Sequence, residues 1–155
     1  MRAVVQRVSR AAVRVDGVAV GSIGPGLCVL LSVGPGDDDE ISRHLASRIA
    51  GLRIFPDDAG RMNLDLAAAG GSVLVVSQFT LHANTSRGRR PSFIGAADPE
   101  LAERLYGLVI DALRGLGLEV AGGRFGAHME VELVNDGPVT LVVTSGEEPW
   151  PADAG

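Results

Sequence analysis

Ala11, Val13 and Val15 alternate with Ala12, Arg14 and Asp16, the period-two pattern of a strand with one polar face. The β-branched run from Met1 to Ser9 reads as a strand too. Asp16-Gly17 is a hairpin turn signal, so Val18 to Ile23 is predicted to return antiparallel. After a second turn at Gly24-Pro25-Gly26, Leu27 to Val33 is apolar throughout, as expected of a central strand covered on both faces. The period then changes. Ile41, Leu45, Ile49 and Leu52 recur at helical spacing behind the acidic run Asp37 to Glu40, which is best placed at a helix N-terminus. His44 falls on the polar side of that helix.

Leu52 to Phe55 is predicted as a short strand and Pro56 to Gly60 as a turn, while Arg61 to Ala69 is ambiguous, with a short helical turn among its readings. Ser72 to Phe79 is the most apolar strand candidate. The long loop Leu81 to Ala97 follows it, and long ordered loops in compact domains are usually functional. Asp98-Pro99-Glu100 starts a second helix, with Leu101, Leu105, Leu108 and Ala112 as its stripe and Gly115 and Gly117 as stops. Glu119 to Ala127 is expected to be a flexible connection. Met129, Val131 and Leu133 point inward on the next strand. Asn135-Asp136-Gly137-Pro138 is predicted to turn into a returning strand, Val139 to Val143. Many strands, two helices and no regular βαβ alternation read as an α/β sandwich with mixed sheets.

Composition narrows the chemistry. With 46% hydrophobic and 21% charged residues, the chain is an ordinary globular one. No apolar run approaches the ~20 residues that span a bilayer. Gln6 and Arg7 interrupt any signal-peptide core, so no membrane association is expected and the expected location is cytoplasmic. Cys28, the single cysteine, sits in an apolar run and reads as a packed core thiol. All 14 cationic residues are arginine. Without lysine there is no Schiff-base chemistry and no Walker-A loop. The net charge of −5 argues against polyanion binding by the whole surface, but leaves room for a local basic patch.

Three stretches carry chemical content. Ser77-Gln78-Phe79-Thr80-Leu81 ends the apolar strand with two hydroxyls and an amide, followed at once by an arginine-bearing loop. Rigid donors at a strand end beside a loop that reaches for an anion have the layout of a site. The alternative is that Ser77 and Thr80 only satisfy local backbone groups. A serine or threonine esterase, with His82 as base, is a second functional reading, although no Gly-x-Ser-x-Gly elbow is present. Arg87-Gly88-Arg89-Arg90-Pro91 is the one dense cationic spot, suited to phosphate oxygens or else a solvated run. On spacing alone, Gly137-Pro138 is simply a turn.

Ser77-Gln78-Phe79-Thr80-Leu81 together with Asn135-Asp136-Gly137-Pro138-Val139-Thr140 resembles the motif pair of the D-aminoacyl-tRNA deacylase family. Met1 to Arg10, Leu52 to Phe55, Met62 to Leu64, Gly88 to Phe93 and Gly123 to Ala127 are similar to family segments too. The likeness implies one domain over 1–145, a three-layer mixed β-sheet sandwich with helices on one face, and a tail over 146–155. It implies a homodimeric hydrolase that uses no cofactor and no metal and cleaves the ester between a D-amino acid and the 3′ end of tRNA. Ser77, Gln78, Phe79 and Thr80 would form the hydrolytic side. Gly137 and Pro138, joined by a cis peptide and held by Arg7, would enter the partner subunit's site and exclude L side chains. Glycyl-tRNA, including glycine mischarged on tRNA-Ala, would pass that filter. Arg87, Arg89, Arg90 and Phe125 would contact tRNA, with Phe125 stacking on the adenine or else packing in the core. Three positions depart from the family pattern: His128, where an acidic residue is expected, His82, where an aromatic is common, and Asn84, where Asp is more usual.

Overall fold

The computed structural model describes residues 1–86 and 88–145; Arg87 and the expected tail from 146 onward lie outside the described residues. Strand β1 (Arg2–Val15) is one long strand, and Asp16 and Gly17, both at positive φ, turn it into β2 (Val18–Ile23). β3 (Gly26–Ser32) pairs with β1 antiparallel. Helix α1 (Asp39–Ala50) begins where the acidic run placed it: the Asp38 carboxylate accepts from the Ile41 N–H at 2.9 Å. β4 (Phe55–Pro56) and β5 (Met62–Leu64) make a small two-stranded sheet. Leu52 to Ile54 therefore lies outside any strand, and in the stretch Arg61 to Ala69, whose pattern favours no single element, Met62 to Leu64 is extended. β6 (Ser72–Ser77) pairs parallel with β3. Helix α2 (Pro99–Gly115) is capped by Asp98, whose side chain accepts from Leu101 N–H at 3.0 Å, with Pro99 at the first helical position. β7 (Val120–Gly122) pairs parallel with β6, and β8 (Glu130–Thr144) pairs antiparallel with β1.

Two departures from the sequence reading matter for the site. The stretch 119–127, expected to be a flexible connection, holds β7. With it, β3–α1–β6 and β6–α2–β7 are two consecutive parallel crossovers, so a βαβ alternation is present after all. Strand order advances β3, β6, β7. Two right-handed crossovers advancing in one direction put both helices on one face. Leu45, Ile49, Leu105, Val109 and Leu113 share a core there with Leu27, Val29, Leu31, Val73 and Val75. Residues of opposite parity, Cys28, Leu74 and Val76, face a second core. The fold is mixed α/β, with the helices on one face as expected.

The second departure is at 135–138. The chain does not turn back there. β8 continues, with Asn135 opposite Val8 and Thr140 opposite Gln6. Four residues, 136 to 139, stand opposite one residue of β1, Arg7: Asp136, Gly137 and Pro138 are thrown out as a pouch, and Val139 turns back into the helix-side core. The pouch marks a fold line in the sheet. Before it on β1, Ala3 and Val5 belong to the helix-side core; after it, Ala11 and Val13 belong to the second. β8 makes the same exchange, from Met129, Val131 and Leu133 to Val139, Leu141 and Val143. The folded-over half covers the second core. Its closest approach needs glycine: a Cβ on Gly21 would lie 2.4 Å from the Gly122 carbonyl oxygen.

Burial in that second core pushes the Cys28 thiol from an ordinary 9.0 up to about 11. The native state then holds a proton that the unfolded chain releases. This contribution is fully present below pH 9 and is lost as pH rises towards 11. Urea titrations are expected to show stability falling across that window, and to fall less steeply in Cys28→Ala.

Candidate active site

β6 has a parallel strand on each side, and its last ladder partner is Leu31 opposite Ser77. One more bond follows, from Gln78 N–H to the Leu31 carbonyl at 2.7 Å. The chain then leaves the sheet. Phe79–His82 form a single 3-10 turn, so Phe79, expected at the end of the strand, lies beyond it. Leu81 N–H donates to the Gln78 carbonyl and Ala83 N–H to that of Thr80. The N–H groups of Phe79 and Thr80 donate to no described backbone acceptor outside the turn. That is the expected state of first-turn amides. The Gln78 side-chain amide donates to Thr80 Oγ1, which ties the amide and the hydroxyl into one unit.

The turn is held from below by a buried pair that the sequence reading did not identify. Ser32 Oγ lies 2.5 Å from His82 Nδ1 and 3.3 Å from the Phe79 carbonyl oxygen. A hydroxyl has one proton; given to the Phe79 carbonyl, it leaves Ser32 accepting from a protonated Nδ1. His82 is thus buried with its Nδ1 against Ser32, so that this nitrogen is engaged by Ser32 and not by Thr80. Gly34 lies over the same ring, where a Cβ would meet His82 Nε2 at 3.2 Å.

Ser77, Gln78 and Phe79 open on a cavity of about 400 Å³ between the strand end and the start of α2. Its walls include Ala97, Pro99, Tyr106, Phe125 and His128. Tyr106 donates its hydroxyl to the Val75 carbonyl at 2.8 Å, and burial raises its pKa above the ordinary phenol value. Its role was hidden in the sequence, because the helix stripe was drawn through Leu101, Leu105, Leu108 and Ala112. The buried positions are Leu105, Tyr106, Val109, Ile110 and Leu113. Phe125 packs on the helix-side core, with its ring 6.0 Å from that of Tyr106, and it also lines the cavity.

Arg7, Gly137 and Pro138 form a separate cluster. Arg7 Nε donates to the Asp136 carbonyl at 3.1 Å and pairs with its carboxylate at 3.3 Å. Arg7 Nη1 donates to the Ile54 carbonyl at 2.5 Å. Asn135 Oδ1 accepts from Val139 N–H and closes the neck of the pouch. The Gly137–Pro138 peptide is cis, and Gly137 has φ 128°, where a Cβ would lie 2.8 Å from the Val139 side chain. Asp136, Gly137 and Pro138 line no part of the cavity of their own chain, and Gly137 and Pro138 are exposed. Arg89 and Arg90 are exposed on the loop beyond the turn.

The model for the D-Tyr-tRNA(Tyr) deacylase family matches residues 4–144. A D-aminoacyl-tRNA deacylase of Symbiobacterium thermophilum is 58% identical over 145 residues, 94% of this chain and 96% of that protein. One of Deinococcus radiodurans is 59% identical over 143 residues, 92% of this chain and 99% of that protein. Among solved structures, a protein described as c-Myc DNA Unwinding Element Binding Protein superposes with a TM-score of 0.89 at 38% identity, over 95% of this chain and 100% of that one. A probable eukaryotic D-amino acid tRNA deacylase shares the fold, with a TM-score of 0.79 at 18% identity, over 92% of this chain and 97% of that one. The chain belongs to the D-Tyr-tRNA(Tyr) deacylase family.

Proposed function

We propose that this protein hydrolyses the ester of D-aminoacyl-tRNA and works as a homodimer in the cytoplasm. Family membership supports the activity. The observation that carries the mechanism is the pair of turn amides, Phe79 and Thr80, which donate to no described backbone acceptor outside their turn, just past the strand end where Ser77, Gln78 and Phe79 line the cavity. Backbone N–H groups held by a rigid strand are suited to a developing oxyanion. Water adds to the acyl carbon, its oxygen stays with the amino acid, the bond to the 3′ oxygen of the ribose breaks, and that oxygen leaves with a proton. The 2′-hydroxyl of the same ribose lies beside the acyl carbon and orients the attacking water, so that no side-chain nucleophile is needed. Gln78 and Phe79 position the aminoacyl-adenosine, Phe125 meets the adenine, and Arg89 and Arg90 meet phosphates. Arg87 belongs to the same proposal, although it lies outside the described residues.

Selectivity comes from the pouch of a second copy. Within one chain Gly137 and Pro138 line no part of the cavity, and they are exposed. Placed in the partner's site and fixed by Arg7, they fill the space into which an L side chain would project. Substrates are then excluded by shape, with no grip on the D side chain.

Two outcomes follow. Ser77→Ala and Thr80→Ala are each expected to retain substantial turnover, whereas removing a true nucleophile costs several orders of magnitude. Single-turnover assays decide this, and abolition of hydrolysis by Thr80→Ala in a folded dimer would overturn the substrate-assisted mechanism. With D-alanyl-, L-alanyl- and glycyl-tRNA-Ala, the first and last are expected to be cleaved and the L-ester spared. Intact glycyl-tRNA beside cleaved D-alanyl-tRNA would point to a pocket that grips the D side chain. Loss of the L-ester would remove the chiral filter.

A further inference from the structure

The rim of the cavity carries an aromatic surface that reaches beyond Phe79 to residues no step so far uses. Phe79 is 55% exposed and Phe93 38%, and their rings stand edge to face with centroids 5.2 Å apart at 70°. Ile94 beside them is 92% exposed. Such apolar area is costly to leave in water, and grouped at a site it marks a contact surface.

The loop that bears Phe93 is anchored. Asn84 and Ser92 exchange two backbone hydrogen bonds, at 2.8 and 3.0 Å, which closes the loop at its base. Ala96 N–H donates to the Phe93 carbonyl, and Ala97 N–H donates to Val33 at the end of β3. Phe93 therefore stands at a fixed place on the rim, while Arg89 and Arg90 extend from the closed loop into solvent. Neither arginine is paired with a described carboxylate. Two exposed cations with no described carboxylate partner, on the same closed loop segment that leads into Phe93, in a chain of net charge −5, are a local match for single-stranded nucleic acid.

The occupant follows from the substrate, and to that extent the inference rests on the function proposed above. An esterified terminal adenosine is joined through its 5′ phosphate to the next unpaired nucleotide. With the adenosine in the cavity, that nucleotide must cross the rim. We propose that Phe93, with Ile94 beside it and Arg89 and Arg90 behind, is a stacking shelf for the unpaired nucleotide immediately before the terminal adenosine. Phe79 sits between cavity and shelf. The shelf reads no sequence, since every base has a π face.

The test uses two non-hydrolysable amides, 3′-D-alanylamino-adenosine and the same group at the 3′ end of a cytidylyl-cytidylyl-adenosine trinucleotide. Calorimetry gives Kd for each with the wild-type protein and with Phe93→Leu, which keeps apolar bulk but removes the π face. Wild type is expected to bind the trinucleotide more tightly than the nucleoside. Phe93→Leu is expected to weaken the trinucleotide by ~5- to 150-fold, the range for one lost base–aromatic stack, with a much smaller effect on the nucleoside. Phe93→Trp is expected to restore the difference. Equal wild-type affinities for the two ligands would overturn the shelf. So would a parallel loss of both, which would make Phe93 a prop for Phe79. A fall in solution mass on Phe93→Leu would assign the patch to an interface between copies and would also overturn it. If wild type binds neither ligand, the substrate reading itself fails; if it binds the nucleoside alone, only the shelf does.

Discussion

Everything at the active end of this fold depends on how β6 stops. Flanked by parallel β3 and β7 and buried on both faces, the strand has no freedom until its ladder ends. Its last bond, Gln78 N–H to the Leu31 carbonyl, is the final point at which the sheet dictates backbone direction. One residue later the chain is in a 3-10 turn, and that turn is braced by Ser32 and His82 rather than left to solvent. Rigid strand, sharp exit and buried brace together bring Ser77, Gln78 and Phe79 to the cavity wall, with Thr80 tied to Gln78 just beyond it. A strand that ran two residues further would spend the Phe79 and Thr80 amides on the ladder.

The second device is the fold line that β1 and β8 share. Folding the sheet over itself gives it a second core, but the two long strands must then exchange faces. β8 does so by expelling Asp136, Gly137 and Pro138 before Val139 re-enters the core, and β1 places Arg7 in the gap. The guanidinium bonds the Asp136 carbonyl on one side and the Ile54 carbonyl on the other. A structural solution to the bending of a sheet thereby produces a stiff, exposed projection. Its exposure, together with its absence from the cavity of its own chain, is what makes a second copy the natural place for it to act.

Local chemistry was legible in the sequence where the responsible groups are neighbours. Asp38 and Asp98 cap helices through bonds that span three residues, and Asp16-Gly17 turns on its own dihedral freedom. Long-range partners were not legible. β7 has three residues and exists because β6 supplies its ladder, so it read as a flexible connection. Gly137-Pro138 read as a hairpin because the pair is locally a turn signal, while the strand that keeps β8 going is β1, at the other end of the chain. Tyr106 matters through a carbonyl on β6, and Ser32 through His82; neither contact has a sequence spacing to betray it. The two site motifs were recognisable by family likeness, whereas spacing alone left Ser77 to Thr80 open and favoured a plain turn at Gly137.

The central claim is that one working site takes its hydrolytic side from one copy and its chiral wall from another. Co-expression of two differently tagged chains tests it, one disabled at Gln78 and the other carrying the bulky substitution Gly137→Phe. In a two-fold dimer both lesions of the mixed species fall in the same composite site and leave the other intact. Purified mixed dimers are predicted to recover about half of the wild-type rate on D-aminoacyl-tRNA, since one of two equivalent sites is whole. Mixed dimers no more active than either parent dimer would show that each site is built within a single chain, and would contradict the account.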